Sequence, residues 1–114
     1  MERIARLGLL CDFYGGLLTQ RQLQACRLQG DEDRSLAEIA QDLDISRQAV
    51  HDLIRRSQET MESYEETLGL IKTSLRREEA LEKIAGELEE IAAGLEPALA
   101  SRLRKLAQEL NKWR

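Results

Sequence analysis

The sequence predicts an all-α protein: a small helix-turn-helix bundle, a long helix running out of it, and a C-terminal helical hairpin. Three observations carry that expectation. Among 114 residues there is a single proline, and Glu, Leu, Ala, Arg and Gln abound, with no strand-like alternation anywhere. The stretch from Ser35 to Arg56, SLAEIAQDLDISRQAVHDLIRR, has the spacing of two short helices joined by a tight turn. From Val50 onward, apolar positions step by four and three residues in a heptad seam.

Residues 2–15 form the first expected helix, with Ile4, Leu7, Cys11 and Tyr14 on one face and Leu10 and Phe13 widening it. Gly15-Gly16 ends it. Thr19 followed by Gln22 is a capping box that opens a short helix, in which Leu23, Cys26 and Leu28 turn inward. Gly30-Asp31-Glu32-Asp33 is a polar loop leading to the central motif.

Within that motif Ser35 and Glu38 make a second capping box, because the hydroxyl takes an orphan N–H while the carboxylate reaches back to the cap. Leu36, Ile39, Ala40 and Leu43 share one face, and the small Ala40 lets the next helix approach. Asp44-Ile45-Ser46 supplies the turn, with Asp44 suited to the left-handed conformation and Ser46 to an N-cap. Ala49, Val50, Leu53 and Ile54 then face inward, whereas Arg47, Gln48, His51, Asp52 and Arg55 face outward. An apolar back and a hydrogen-bonding front suit a helix that enters the major groove. Arg47, Gln48, His51, Arg55 and Arg56 are the candidate nucleic-acid-binding residues.

The seam Val50, Ile54, Ser57, Met61, Tyr64, Leu68, Ile71, Leu75 predicts one helix from Arg47 to about Arg76, with Ser57 its weak member. Its distal half outruns the bundle, so Met61, Tyr64, Leu68, Ile71 and Leu75 are the candidate dimerisation residues of a homodimer, although the chain's own tail could cover the same stripe. A joint is expected near Arg76–Glu79. Leu81, Ile84, Leu88, Ile91 and Leu95 then form one stripe, and Leu99, Leu103, Leu106, Leu110 and Trp113 another, separated by Gly94 and Pro97. The first hairpin helix is acidic and the last basic, so they are expected to pair. The domains so read are 1–59, 60–77 and 78–114.

Charge limits the functional classes. The net charge is −4, and residues 36–60 hold three Arg (Arg47, Arg55, Arg56) against Glu38, Asp42, Asp44, Asp52 and Glu59. General nucleic-acid affinity runs on cations displacing counterions, so it is expected to be weak. The N-terminal apolar run Leu7–Cys11 is interrupted by Gly8 and is too short for a signal or a span, giving a cytoplasmic expectation without membrane insertion. One His and two distant Cys supply no metal ligand set, and no cofactor or small-molecule substrate is expected. Cys11 and Cys26 read as buried free thiols. His51 and Asp52 are neighbours along a helix and cannot serve as base and orienter, and no Gly-rich phosphate loop exists, so the chain is not expected to be an enzyme.

Leu18-Thr19-Gln20-Arg21-Gln22 followed by the helix-turn-helix resembles region 4 of bacterial sigma factors, a DNA-reading unit. More of the chain is similar to the YlxM family: Cys11-Asp12-Phe13-Tyr14 with Leu17-Leu18-Thr19, then SLAEIAQDLDISRQAVHDLIRR, then Tyr64-Glu65-Glu66-Thr67-Leu68. Those are small bacterial proteins linked to the signal recognition particle pathway by the placement of their genes beside the particle's protein components. The resemblance covers about residues 4–75, and the hairpin from Glu78 departs from the usual shorter family tail. It implies a sigma-region-4-like fold and an accessory or regulatory role, with a signal recognition particle component, protein or RNA, or DNA as partner.

Overall fold

The computed structural model describes residues 2–114, which form α1 (Arg3–Tyr14), a 3-10 turn at Gly15–Leu17, α2 (Gln20–Gly30), α3 (Leu36–Leu43), α4 (Arg47–Leu68), α5 (Leu70–Ala93) and α6 (Pro97–Asn111). No strand occurs among the described residues. The chain divides into two units, one ending at Ile71 and one from Lys72 to Arg114.

In the first unit the starts of α2, α3 and α4 are sealed as their sequence dictates. Thr19 Oγ1 accepts the Gln22 N–H at 3.2 Å, and Gln22 Oε1 accepts the Thr19 N–H at 2.9 Å. The same reciprocal pair forms at Ser35 and Glu38, and the backbone hydrogen bond from Ser35 holds the Glu38 carboxyl below its usual range. α1 and α2 cross closely where two glycines meet: a Cβ on Gly30 would lie 3.0 Å from the Gly8 nitrogen. Leu7, Leu10, Cys11 and Tyr14 of α1 can therefore join Ala25, Cys26, Ile39, Val50, Ile54, Met61 and Ile71 in one buried cluster. Cys11 and Cys26 are buried free thiols, and the hydrogen bond with Cys26, together with burial, pushes the Cys11 thiol up. Phe13 does not widen the buried face of α1, since it is exposed. Ser57, the weak member of the seam, is buried and donates its hydroxyl to the Leu53 carbonyl at 2.7 Å, so it brings no unsatisfied group into the core.

The expected helix to Arg76 is corrected by the structure. α4 ends at Leu68, and Gly69 adopts the left-handed conformation (φ 62°, ψ 30°), its N–H donating to the Glu65 carbonyl at 2.8 Å. The joint expected near Arg76–Glu79 is a helical stretch inside α5 instead. Side chains hold this break in place. The Tyr14 hydroxyl donates to Glu65 Oε1 at 2.6 Å and accepts the Leu70 N–H at 3.2 Å. The Ile71 N–H donates to the same carboxylate oxygen at 2.9 Å. Two of the orphan donors at the start of α5 are thus satisfied by a tyrosine and a glutamate rather than by another turn of helix. Arg6 adds a two-pronged pair to Glu62, at 2.7 and 3.1 Å, which raises the guanidinium pKa further.

The break divides the candidate dimerisation residues. Met61 and Ile71 lie in the unit's own core, and Tyr64 packs on Tyr14 with ring centroids 6.1 Å apart. Leu68 and Leu75 are exposed. A stripe that includes two core residues cannot be presented whole to a second chain.

In the second unit Gly94 and Pro97 separate two helices, Pro97 occupying the first turn of α6. Arg104 holds Glu89 through bonds of 2.9 to 3.3 Å, and Arg114 approaches Glu82 at 3.8 Å, so acidic α5 and basic α6 run antiparallel. These pairs are exposed and contribute little stability of their own. Ala92 and Ala100 are buried between the helices.

Replacing Tyr14 with Phe removes one donor and one acceptor at the break and should lower the urea midpoint of unfolding. Gly69→Ala, which forces a Cβ into left-handed backbone, should cost about 1 kcal/mol. An unchanged midpoint in both variants would show that the break is not held by these groups. Burial and the bond to Glu65 raise the Tyr14 pKa above its ordinary value. Its stabilising effect is therefore complete below pH ~10 and fades as pH rises through the higher folded value. The stability gap between the native chain and Tyr14→Phe should be constant from pH 6 to 9 and narrow above that, as urea titrations across the range can measure.

Candidate nucleic-acid interface

The interface starts from the turn between α3 and α4. Asp44 ends α3 in the left-handed conformation, at φ 55° and ψ 47°. Its N–H donates to the Gln41 carbonyl at 3.4 Å, and the Ile45 N–H reaches the Ala40 carbonyl at 3.1 Å, a Schellman closure with aspartate where glycine is usual. Ile45 packs against the core as that motif requires, and Arg21 donates to the Leu43 carbonyl at 3.4 Å. One residue later Ser46 caps α4, its hydroxyl accepting the Ala49 N–H at 3.0 Å. Two adjacent helix ends are thus closed within three residues, which fixes how α4 is presented.

Val50 and Ile54 then anchor α4 in the core while Arg47, Gln48, His51, Arg55 and Arg56 are all exposed, so the outward face has the composition read from the sequence. Leu36 of α3 joins Arg47, Gln48 and His51 around one open depression. The first turn of a recognition helix is where base edges are met.

These five residues are not equally available. Gln48 donates to Asp52 Oδ1 at 3.2 Å, and Arg55 binds Glu59 at 3.1 Å with Asp52 at 3.9 Å. His51 Nδ1 stands 3.7 Å from Asp52, too far for a hydrogen bond. Asp52 therefore sits amid the polar side chains of this face and offsets part of its charge. Arg34 holds Asp42 at 2.6 Å nearby. Among the described residues Arg47 and Arg56 have no acidic partner, which makes them the free cations of this face. The described residues contain no cluster able to hold a metal ion and no helix long and apolar enough to cross a membrane.

Periodicity places Tyr14 on the buried face of α1 but does not reveal its hydrogen bonds to Glu65 and Leu70, and it picks out neither Glu65 nor Gly69. The signal was available in Gly69, a glycine directly after an apolar helical residue, whose position off the heptad seam masked its role as a stop.

Residues 1–96 match the model of a family described as "UPF0122: Putative helix-turn-helix protein, YlxM / p13 like". The chain is 46% identical over 89 residues to a UPF0122 protein of Symbiobacterium thermophilum, covering 78% of this chain and 83% of that one. It is 38% identical over 97 residues to one of Desulforamulus reducens, covering 85% and 83%. A third, from Geobacillus kaustophilus, is 39% identical over 106 residues, covering 93% of this chain and 96% of its own length. The similarity thus runs through α5 and into the hairpin, which corrects the expectation that the chain departs from its relatives beyond Glu78. With a left-handed turn, a capped second helix and a family match over most of its length, the chain belongs to the UPF0122 family, the YlxM / p13-like helix-turn-helix proteins.

Proposed function

We propose that this protein is a non-enzymatic accessory or regulatory factor of the signal recognition particle pathway, acting in the cytoplasm and binding one particle component, protein or RNA, through its helix-turn-helix. The observation that carries the reading is the charge of the presented face. Its geometry suits recognition, but two free cations among five acids give little counterion release on a duplex. Tight binding by such a face needs a partner matched in shape and charge rather than any phosphate backbone. A basic protein surface would complement Asp42, Asp44 and Asp52, and a folded RNA would meet Arg47 and Arg56. The pathway itself is drawn from the resemblance to YlxM proteins.

A second reading, a sequence-specific DNA-binding regulator, is favoured by Arg47 and Gln48, whose side chains match guanine and adenine edges in the first turn of α4.

Titrating purified particle protein, particle RNA, particle receptor and random duplex DNA at one physiological salt concentration separates the readings. A particle component should bind more tightly than random duplex, and equal binding would defeat the pathway assignment. If a DNA target is selected from a random library instead, Arg47→Ala should cost about 1–3 kcal/mol and relax preference at one base pair. An unchanged selection profile for that variant would eliminate the DNA reading.

A further inference from the structure

We propose that the α5–α6 hairpin is half of a four-helix bundle and that the other half is the hairpin of a second copy. The proposal concerns a different surface from the helix-turn-helix and stands whether or not the reading above is correct.

The inner face of the hairpin is occupied by small and medium side chains. Leu81, Ala85, Leu88 and Ala92 of α5 are half-buried or buried, as are Ala100, Leu103, Ala107 and Leu110 of α6. The ion pairs of Arg104 with Glu89 and of Arg114 with Glu82 lie along one flank of that seam. On the opposite flank, by helical periodicity, fall Ile84 and Ile91 on α5 and Leu99 and Leu106 on α6, with Trp113 continuing the spacing in the turn after α6. All five are 42–72% exposed. Their seven-residue repeat on both helices puts them in one continuous stripe, so the hairpin has an ion-paired side and an open apolar side. Two helices with only Ala92 and Ala100 fully buried between them make a meagre core for a unit of this length.

Charge selects the occupant. Residues 78–93 of α5 carry six Glu against Lys83, while residues 97–114 carry Arg102, Arg104, Lys105, Lys112 and Arg114 against Glu109. Two hairpins placed open face to open face about a two-fold axis along the helices set each α5 beside the partner's α6, antiparallel and of opposite charge. The alternative two-fold, across the helices, sets acidic α5 on acidic α5 and is disfavoured. In the first arrangement, with the register of the Glu89–Arg104 pair, Glu87 and Arg102 at the rims of the open face lie about one helical turn apart along the axis between copies, and Lys83 and Glu109 lie nearly level. A second copy is therefore complementary in both apolar pattern and charge.

Sedimentation equilibrium of the full chain at micromolar concentration tests this. A species of twice the 13.0 kDa chain mass is expected. Leu106→Lys should weaken the dimer about 100-fold by placing a charge in the stripe. Arg102→Glu, exposed and harmless to the fold, should weaken it about tenfold, and adding Glu87→Arg should restore it. Leu68→Lys, outside the hairpin, should leave it unchanged. A monomeric native chain overturns the proposal, even if another protein or a nucleic acid binds the hairpin. So does a dimer that Leu106→Lys and Arg102→Glu leave intact, or one dissociated by Leu68→Lys alone.

Discussion

At Gly69 one helix stops and another starts, and the backbone N–H groups exposed by that change are taken up by Tyr14 and Glu65. The phenol and carboxylate serve two purposes at once. They bind each other at 2.6 Å, and together they accept the first two N–H groups of α5. Without them α4 would have every reason to continue, because apolar residues recur at heptad spacing on both sides of the glycine. With them, Ile71 is drawn into the same cluster as Leu7, Tyr14 and Met61, and the first unit closes on itself. The tyrosine comes from α1 and the glutamate from α4, so the first and last parts of the unit are fastened by one hydrogen-bonded group. The Arg6–Glu62 pair reinforces that link about two turns back along α1 and one turn back along α4.

Closure of the unit has a functional consequence. The face of α4 that carries Arg47 and Gln48 is held from behind by Val50 and Ile54 and from its N-terminal end by the Asp44–Ser46 turn, so the presented side chains start from a rigid element. What that element offers is geometry more than charge. Asp52 takes the Gln48 amide and lies near His51 and Arg55, offsetting part of the positive charge of the face. Near the C-terminus, Arg104 of α6 and Arg114 just beyond that helix are turned toward acids of α5.

Much of this was legible in the residues alone. The capping boxes at Thr19 and Ser35, the Ser46 cap and the left-handed Asp44 follow from local chemistry, since each depends on atoms within four or five residues. The outward face of α4 follows from the same periodicity that buries Val50 and Ile54. The failures of the periodicity reading share one cause. A heptad pattern says which residues share a stripe but not which body the stripe packs against, so Met61 and Ile71 looked like a seam for a second chain when Tyr14, more than 40 positions earlier, was their neighbour in a common core. Phe13 shows the converse, an aromatic on the expected face that the packing of α2 and α4 did not require. The tail was misjudged through resemblance rather than through physics, and the family match over α5 corrected it.

Native-state amide hydrogen exchange at Leu70 and Ile71 tests the central claim most directly. The first N–H groups of a helix have no intrahelical acceptor and ordinarily exchange with the ease of a loop. If Tyr14 and Glu65 close the first unit, both amides should be protected nearly as well as those of Val50 and Ile54. Exchange at the rate of an open loop, with Val50 and Ile54 still protected, would contradict it and leave the break at Gly69 without a cause.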